Sequence, residues 1–289
     1  MNGPIGTTTS QNTATHAPHV TLIIPVFNEE GSIGPVLAEV IEVMNQQPYA
    51  YEVLVIDDGS NDNTPAILKS ASQRHPVIRV FTMFSNSGQS AAFGVGFSEC
   101  RSPIAVLMDG DGQNDPHDIP MLMDALIDAD ACCGYRADRR DTLSKKLGSR
   151  IANRVRQYFL HDGIRDTGCS LKAVKVEFVR SIPMQFRGMH RFLPALWLLQ
   201  GARIKQLSVH HRARAAGKSK YTNLGRLRET IWDLWAVRWM QKRHRRFHLL
   251  KKRPLHECFT GIYSSTDGLT GTGWPDLFLC AFSHTMGGI

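Results

Sequence analysis

Two carboxylates one residue apart, Asp109 and Asp111, stand in the run Asp109-Gly110-Asp111-Gly112-Gln113, with glycines between and after them. Carboxylate and amide oxygens are the ligands that hard divalent cations such as Mg2+ and Mn2+ prefer, and glycine lets a ligand approach the backbone closely. The spacing suits a cation held between the protein and a bound phosphate. An ordinary solvated turn can carry the same residues, so their surroundings decide the matter.

The run closes an apolar stretch, Ile104 to Met108, that reads as a buried strand. Three such stretches precede it: Val20–Phe27 before Asn28-Glu29-Glu30-Gly31, Tyr51–Ile56 before Asp57-Asp58-Gly59-Ser60, and Val77–Phe81 before Ser85-Asn86-Ser87-Gly88-Gln89. Helical periods lie between them. Ser32 is expected to cap the first helix, Thr64 with Pro65 to start the second, and Ser90–Cys100 to form a small-residue third. This alternation predicts an α/β fold with a doubly wound, mainly parallel sheet. The four polar strand ends then share one edge, where ligands bind in such sheets.

The net charge of +8 over 289 residues calls for an anionic partner. No G-x-G-x-x-G follows the first strand and no G-x(4)-G-K-S/T occurs, which argues against dehydrogenase and P-loop chemistry. No alternating basic and aromatic strand supports nucleic-acid binding. Six cysteines without a C-x-x-C pair read as reduced thiols. Residues 1–18 lack an apolar h-region, and no run is long and apolar enough to span a bilayer, so a cytoplasmic, peripheral-membrane location is expected.

Four segments are expected: 1–18 disordered, 19–221 a catalytic domain, 222–250 an amphipathic basic and tryptophan-rich helix, and 251–289 a poorly ordered tail. Trp232, Trp235 and Trp239 stripe that helix, and Arg238, Lys242, Arg243, Arg245 and Arg246 cluster towards its end. The stripe serves equally well for docking on a membrane interface or on the domain itself.

Motifs that are weak singly gain force from their order: Ile24–Glu29, Asp57–Thr64, Asn86–Gln89, Asp109–Gln113, Gly134-Tyr135-Arg136, Gly148-Ser149-Arg150, Asp166-Thr167-Gly168-Cys169 and Arg214–Lys220. Over roughly residues 20–245 they resemble family-2 glycosyltransferases of the GT-A fold, and within them the polyprenyl-phosphate sugar transferases of the dolichol-phosphate mannose synthase type. The resemblance implies that Pro25, Phe27, Asn28, Glu29, Asp57 and Asp58 hold the nucleoside of a GDP- or UDP-sugar, with Gly88, Gln89 and Asp109 nearby. It implies Mg2+ or Mn2+ on Asp109, Asp111 and Gln113, and a mobile loop whose Arg214 and Lys220 close on the donor phosphates. Arg136 and Arg150, with Ser149 and Asn153, would bind the phosphate of a polyprenyl acceptor.

The implied reaction is an inverting in-line displacement. A phosphate monoester is already anionic near neutral pH and needs no strong base. A sugar hydroxyl acceptor, the rival expectation, would need one, with Asp166 or Asp111 as candidates. Asp166 and Asp111, with Arg136 and Arg150, form the expected catalytic set. A catalytically silent scaffold that binds nucleotide and membrane is the reading from outside enzymology.

Overall fold

The computed structural model describes residues 17–137, 153–213 and 223–245. Four strands, β1 (Val20–Val26), β2 (Tyr51–Asp57), β3 (Ile78–Thr82) and β4 (Ile104–Leu107), alternate with helices α1 (Ile33–Asn45), α2 (Thr64–Arg74) and α3 (Gln89–Glu99). After α4 (Ile119–Asp124) come β5 (Ala131–Arg136), α5 (residues 153–160), β6 (Lys172–Lys175), α6 (Leu193–Gln200), β7 (Ile204–Val209) and α7 (Asn223–Arg243). The seven strands form one sheet in the order β3-β2-β1-β4-β6-β5-β7.

β1 is buried along its whole length because helices cover both faces of the sheet, which is why it reads as an unbroken apolar run. One core gathers α1, α2 and α4 on one face around Leu22, Leu37, Val55, Leu68 and Leu122. The other lies beneath α3, α6 and α7, around Ile23, Phe93, Trp197, Leu234 and Val237. Each such fully buried side chain stabilises the fold by about 1.5–3 kcal/mol.

β1, β2, β3 and β4 pair in parallel, as the alternation predicts. β6 does not: it runs antiparallel to both β4 and β5, so β5 again points the same way as β4. Arg136 at the end of β5 therefore reaches the edge that carries Asp109. The pairing of β1 with β4 stops at Ile23 and Leu107. Pro25, which has no N–H to give, falls beyond it, where β1 has a partner only on the β2 side. This is the point where the strand order switches direction, the place where such sheets bind ligands.

Two expected caps are used otherwise. Ser32 precedes α1, but its single hydroxyl proton is shared between the Gly110 carbonyl at 3.0 Å and Glu29 Oε2 at 2.8 Å, tying the first strand end to the acidic turn. Thr64 is already helical, and its hydroxyl accepts the Glu29 N–H at 2.9 Å. Both hydroxyls serve contacts between strand ends in place of their own helices.

Candidate active site

The site is built from four turns along the sheet edge. After β1, Asn28 adopts a left-handed backbone (φ 53°), its N–H donating to Ser60 Oγ at 2.9 Å and its Oδ1 accepting from Asn61 N–H at 2.8 Å. These bonds join the first two turns. Phe27 and Glu29 are half-buried beside them.

Asp57 and Asp58, expected on the nucleoside, are both buried. Asp57 accepts from the Ser60 N–H at 3.0 Å and shapes the turn from below. Asp58 accepts the N–H groups of Ser87 and Gly88 at 2.7 and 2.8 Å, so its carboxylate builds the third turn. Burial pushes the Asp58 carboxyl up, against the lowering effect of those two bonds. Between the turns, Gly59 has φ +72°, and a Cβ there would stand 2.8 Å from the Ser85 carbonyl carbon, so glycine is required for both reasons.

The acidic turn follows β4. Gln89 donates to Asp109 Oδ1 at 2.7 Å, and the Asp109 N–H donates to Asn114 Oδ1 at 3.1 Å. Desolvation, then the charge of Asp111, push the Asp109 carboxyl up to about 6, while Ser170, Lys172 and Gln89 oppose the shift. Asp111 is buried and accepts the Gln113 N–H at 3.1 Å. A carboxylate whose proton affinity is raised by burial and by a neighbouring carboxylate belongs to a donor set short of positive charge. That set fits a divalent cation with oxygen ligands.

The Gln113 side-chain amide nitrogen lies 3.4 Å from His211 Nε2, and the Gln113 backbone carbonyl accepts the Arg212 N–H at 2.9 Å. Asn114 forms an antiparallel bridge with His211. The acidic turn is thus stitched to the chain that leaves β7. His211, an imidazole at that seam, is a residue the motifs missed; only the His210-His211 pair after a strand hinted at it. Among the described residues, one group of three carboxylate and imidazole side chains is close enough to hold a metal: Glu39, Asp115 and His117. Arg212 already neutralises it, pairing with Glu39 and Asp115 at 2.8 Å each.

Arg136 does not stand open. Its Nε and Nη2 donate to the two carboxylate oxygens of Asp166 at 2.8 and 3.0 Å, and its backbone N–H reaches Oδ2 at 3.3 Å. Asp166 also accepts the Gly168 N–H at 3.1 Å. A carboxylate so engaged is a poor general base and a good orienting group. Asn153 donates to the Arg165 carbonyl at 3.2 Å, which fixes the start of α5 against the Asp166 loop. Ser149, Arg150, Arg214 and Lys220 lie outside the described residues.

A cavity of about 800 Å³ opens beside Asp109, with Gly88, Gln89, Thr167, Gly168 and Lys172 in its walls and Trp232 and Asp233 of α7 contributing from the far side. Lys172 is buried, and its ammonium donates to the Cys169 carbonyl. It is a second residue that motif reading missed, since a lone lysine in Leu171-Lys172-Ala173-Val174 looks like one polar position of a strand. Pro25 is buried in β1, and neither it nor Phe27, Asn28 and Glu29 lines this cavity. They lie along the same edge. The thiols of Cys132 and Cys133 are pushed up to about 12 by burial, which removes them from nucleophilic chemistry.

Residues 21–182 match the family described as Glycosyl transferase family 2. Over 244 residues the chain is 34% identical to dodecaprenyl-phosphate galacturonate synthase of Rhizobium johnstonii, covering 82% of this chain and 69% of that protein. It is 32% identical to undecaprenyl-phosphate 4-deoxy-4-formamido-L-arabinose transferase of Pseudomonas fluorescens, over 74% of this chain and 63% of that one. The chain thus spans about two thirds of the length of these relatives. Among solved structures, glucosyl-3-phosphoglycerate synthase from Mycobacterium tuberculosis with Mn2+, UDP and glucosyl-3-phosphoglycerate superposes with a TM-score of 0.58 at 17% identity, over 78% of this chain and 80% of that one. A mannosyltransferase from Pyrobaculum calidifontis with GDP-Man and Mn2+ gives 0.53 at 19% identity, over 81% and 67%. At these identities the likeness is one of fold, of the GT-A type.

Proposed function

The chain belongs to glycosyl transferase family 2, and on that premise we propose that it moves a sugar from a nucleotide-sugar to a polyprenyl phosphate with inversion at the anomeric carbon. The observation that carries the reading is the convergence of the Asp109–Asp111 turn and the Arg136–Asp166 pair at the ends of parallel strands on one sheet edge. The two named relatives act on dodecaprenyl and undecaprenyl phosphates, which supports a lipid phosphate as acceptor.

The nucleoside lies over the turns after β1 and β2, where Phe27, Asn28 and Glu29 offer a flat face and oxygen acceptors while Asp57 and Asp58 hold the turns in shape. Asp109 and Asp111, with Gln113 beside them, would hold Mg2+ or Mn2+, which would supply Lewis acidity towards the donor diphosphate. Arg136, oriented by Asp166, directs its charge at the acceptor phosphate together with Arg150. An oxygen of that phosphate forms the bond to the anomeric carbon as the bond to the diphosphate oxygen breaks, and no proton has to be removed. The residues contribute positioning and charge stabilisation.

Because Asp166 is taken up by Arg136, transfer to a sugar hydroxyl lacks the base it would require from that position. Peripheral attachment at the cytosolic face is part of the same proposal. Trp232, Trp235 and Trp239 are well exposed on α7, close in sequence to Arg238, Lys242 and Arg243, a pairing suited to an anionic interface. Among the described residues no helix is long and apolar enough to cross a membrane. The test is incubation of purified protein and Mg2+ or Mn2+ with labelled UDP- and GDP-sugars and short polyprenyl phosphates. A glycosyl-phosphate lipid is expected, and its absence with every pair would sink the proposal.

A further inference from the structure

The segment Arg187-Gly188-Met189-His190-Arg191 takes no part in the transfer chemistry set out above, yet Arg187, Gly188, His190 and Arg191 all line the cavity beside Asp109. Lys172 lines it too, from β6. The walls therefore carry three cationic side chains and an imidazole against two carboxylates, Asp109 and Asp233.

The turn is held from two sides. Gly188 has φ +84°, a conformation that favours glycine, and the Asp233 carboxylate of α7 lies directly over it, 2.3 Å from where a Cβ would stand. Ser90 at the start of α3 engages His190 twice, with Oγ 2.8 Å from Nδ1 and 3.3 Å from the backbone nitrogen. Met189 and Phe192 point into the core and account for the packing. Arg187, by contrast, is exposed and makes no hydrogen bond or ion pair with the described residues. Packing does not require a guanidinium at that rim. An anion does.

We propose that Arg187, His190 and Arg191 form an anion subsite that seats a carboxylate or phosphate group of a substrate next to the acidic turn. The inference rests on the sugar-transfer reading and deepens it, because it requires one substrate to bring a second charged group besides the donor diphosphate. Two sources share the needed chemistry: the phosphate monoester of the acceptor, and a carboxylate on the transferred sugar. A guanidinium fork meets either with two parallel hydrogen bonds.

Calorimetric binding to the full-length protein with Mg2+ separates them. The probes are farnesyl phosphate against farnesol, and UDP-glucuronate against UDP-glucose. The native protein is expected to favour the anionic member of at least one pair by tenfold or more. Arg187→Gln, at an exposed position, should reduce that preference to threefold or less and leave the neutral member unchanged. Arg191→Lys, which keeps charge but loses the fork, should reduce it in part. A preference in the first pair assigns the subsite to the acceptor, and in the second to the sugar. No preference in either pair, an undiminished preference in Arg187→Gln, or an equal loss for neutral and anionic probes overturns the proposal. A protein that keeps the preference but transfers no sugar leaves the subsite standing and overturns the transfer reading alone.

Discussion

Asp166 grips Arg136 as one fork grips another, with Nε 2.8 Å from Oδ2 and Nη2 3.0 Å from Oδ1, in surroundings that leave both side chains mostly buried. A group spent on orientation has a kinetic signature different from that of a base. Asp166→Asn is expected to raise KM for the lipid phosphate about tenfold with kcat changed less than about threefold. Loss of kcat by a hundredfold or more, with a basic limb gone from the pH profile, would assign proton transfer to Asp166 instead. Thermal unfolding should also show a loss of about 1–3 kcal/mol, because the arginine is left desolvated and half-paired.

The acidic turn makes a sharper demand. Asp111→Asn is expected to lower kcat/KM by about two to three orders of magnitude and to remove the calorimetric signal of Mn2+ binding. Gln113→Ala should cost only about tenfold by the same scale of effects, since its amide is already engaged with His211. Equal losses for the two variants would contradict this ranking.

Acid should loosen the far end of the sheet before the site itself. Asp130 binds Arg203 and Lys175, and these partners hold its carboxyl far below the ordinary carboxylate range. A carboxyl whose folded pKa is depressed adds stability that is complete above its unfolded value, near the usual range for aspartate. That stability is lost as pH falls towards the folded value. Urea midpoints measured from pH 7 down to pH 3 should therefore drop less steeply for Asp130→Asn than for the native protein. Parallel curves would count against the pair.

The last helix separates packing from surface chemistry. Leu234 and Val237 are buried in the second core, so Leu234→Ala should cost about 2–5 kcal/mol. Trp239→Ser, at an exposed position, should leave the urea midpoint nearly unchanged but weaken co-flotation with vesicles rich in anionic lipid. If the tryptophan variant unfolds early and still floats, the exposed ridge is structural and the membrane reading fails.

Much of this architecture was legible because parallel strands buried on both faces announce themselves as apolar runs ending in polar clusters. β1 to β4 and the order of their turns follow directly. β5 and β6 did not show, since Ala131-Cys132-Cys133-Gly134 and Lys172-Ala173-Val174-Lys175 carry small or charged residues with little strand character. They are strands because the sheet offers them partners. On α7 the packing stripe was not legible behind the tryptophans: Leu234 and Val237 face inward, while Trp232, Trp235 and Trp239 remain exposed. Within the site, motif order located Asp109, Asp111, Arg136 and Asp166. It could not reveal that Asp58 builds a loop, that Asp166 is paired, or that Lys172 and His190 share the cavity. Those facts depend on hydrogen bonds between segments 29 to 100 residues apart.

The seam between Gln113 and Arg212, where one backbone bond and the Asn114–His211 bridge join the acidic turn to the base of the chain carrying Arg214 and Lys220, has a thermodynamic corollary. Two sites fastened by a shared hydrogen-bonded step cannot be filled independently if that step shifts with either ligand. If, as proposed, a divalent cation binds the acidic turn and donor phosphates meet the basic segment, whatever factor one applies to the affinity of the other must be returned to it. Cation dissociation constants measured with and without nucleoside diphosphate therefore report how firmly that seam transmits.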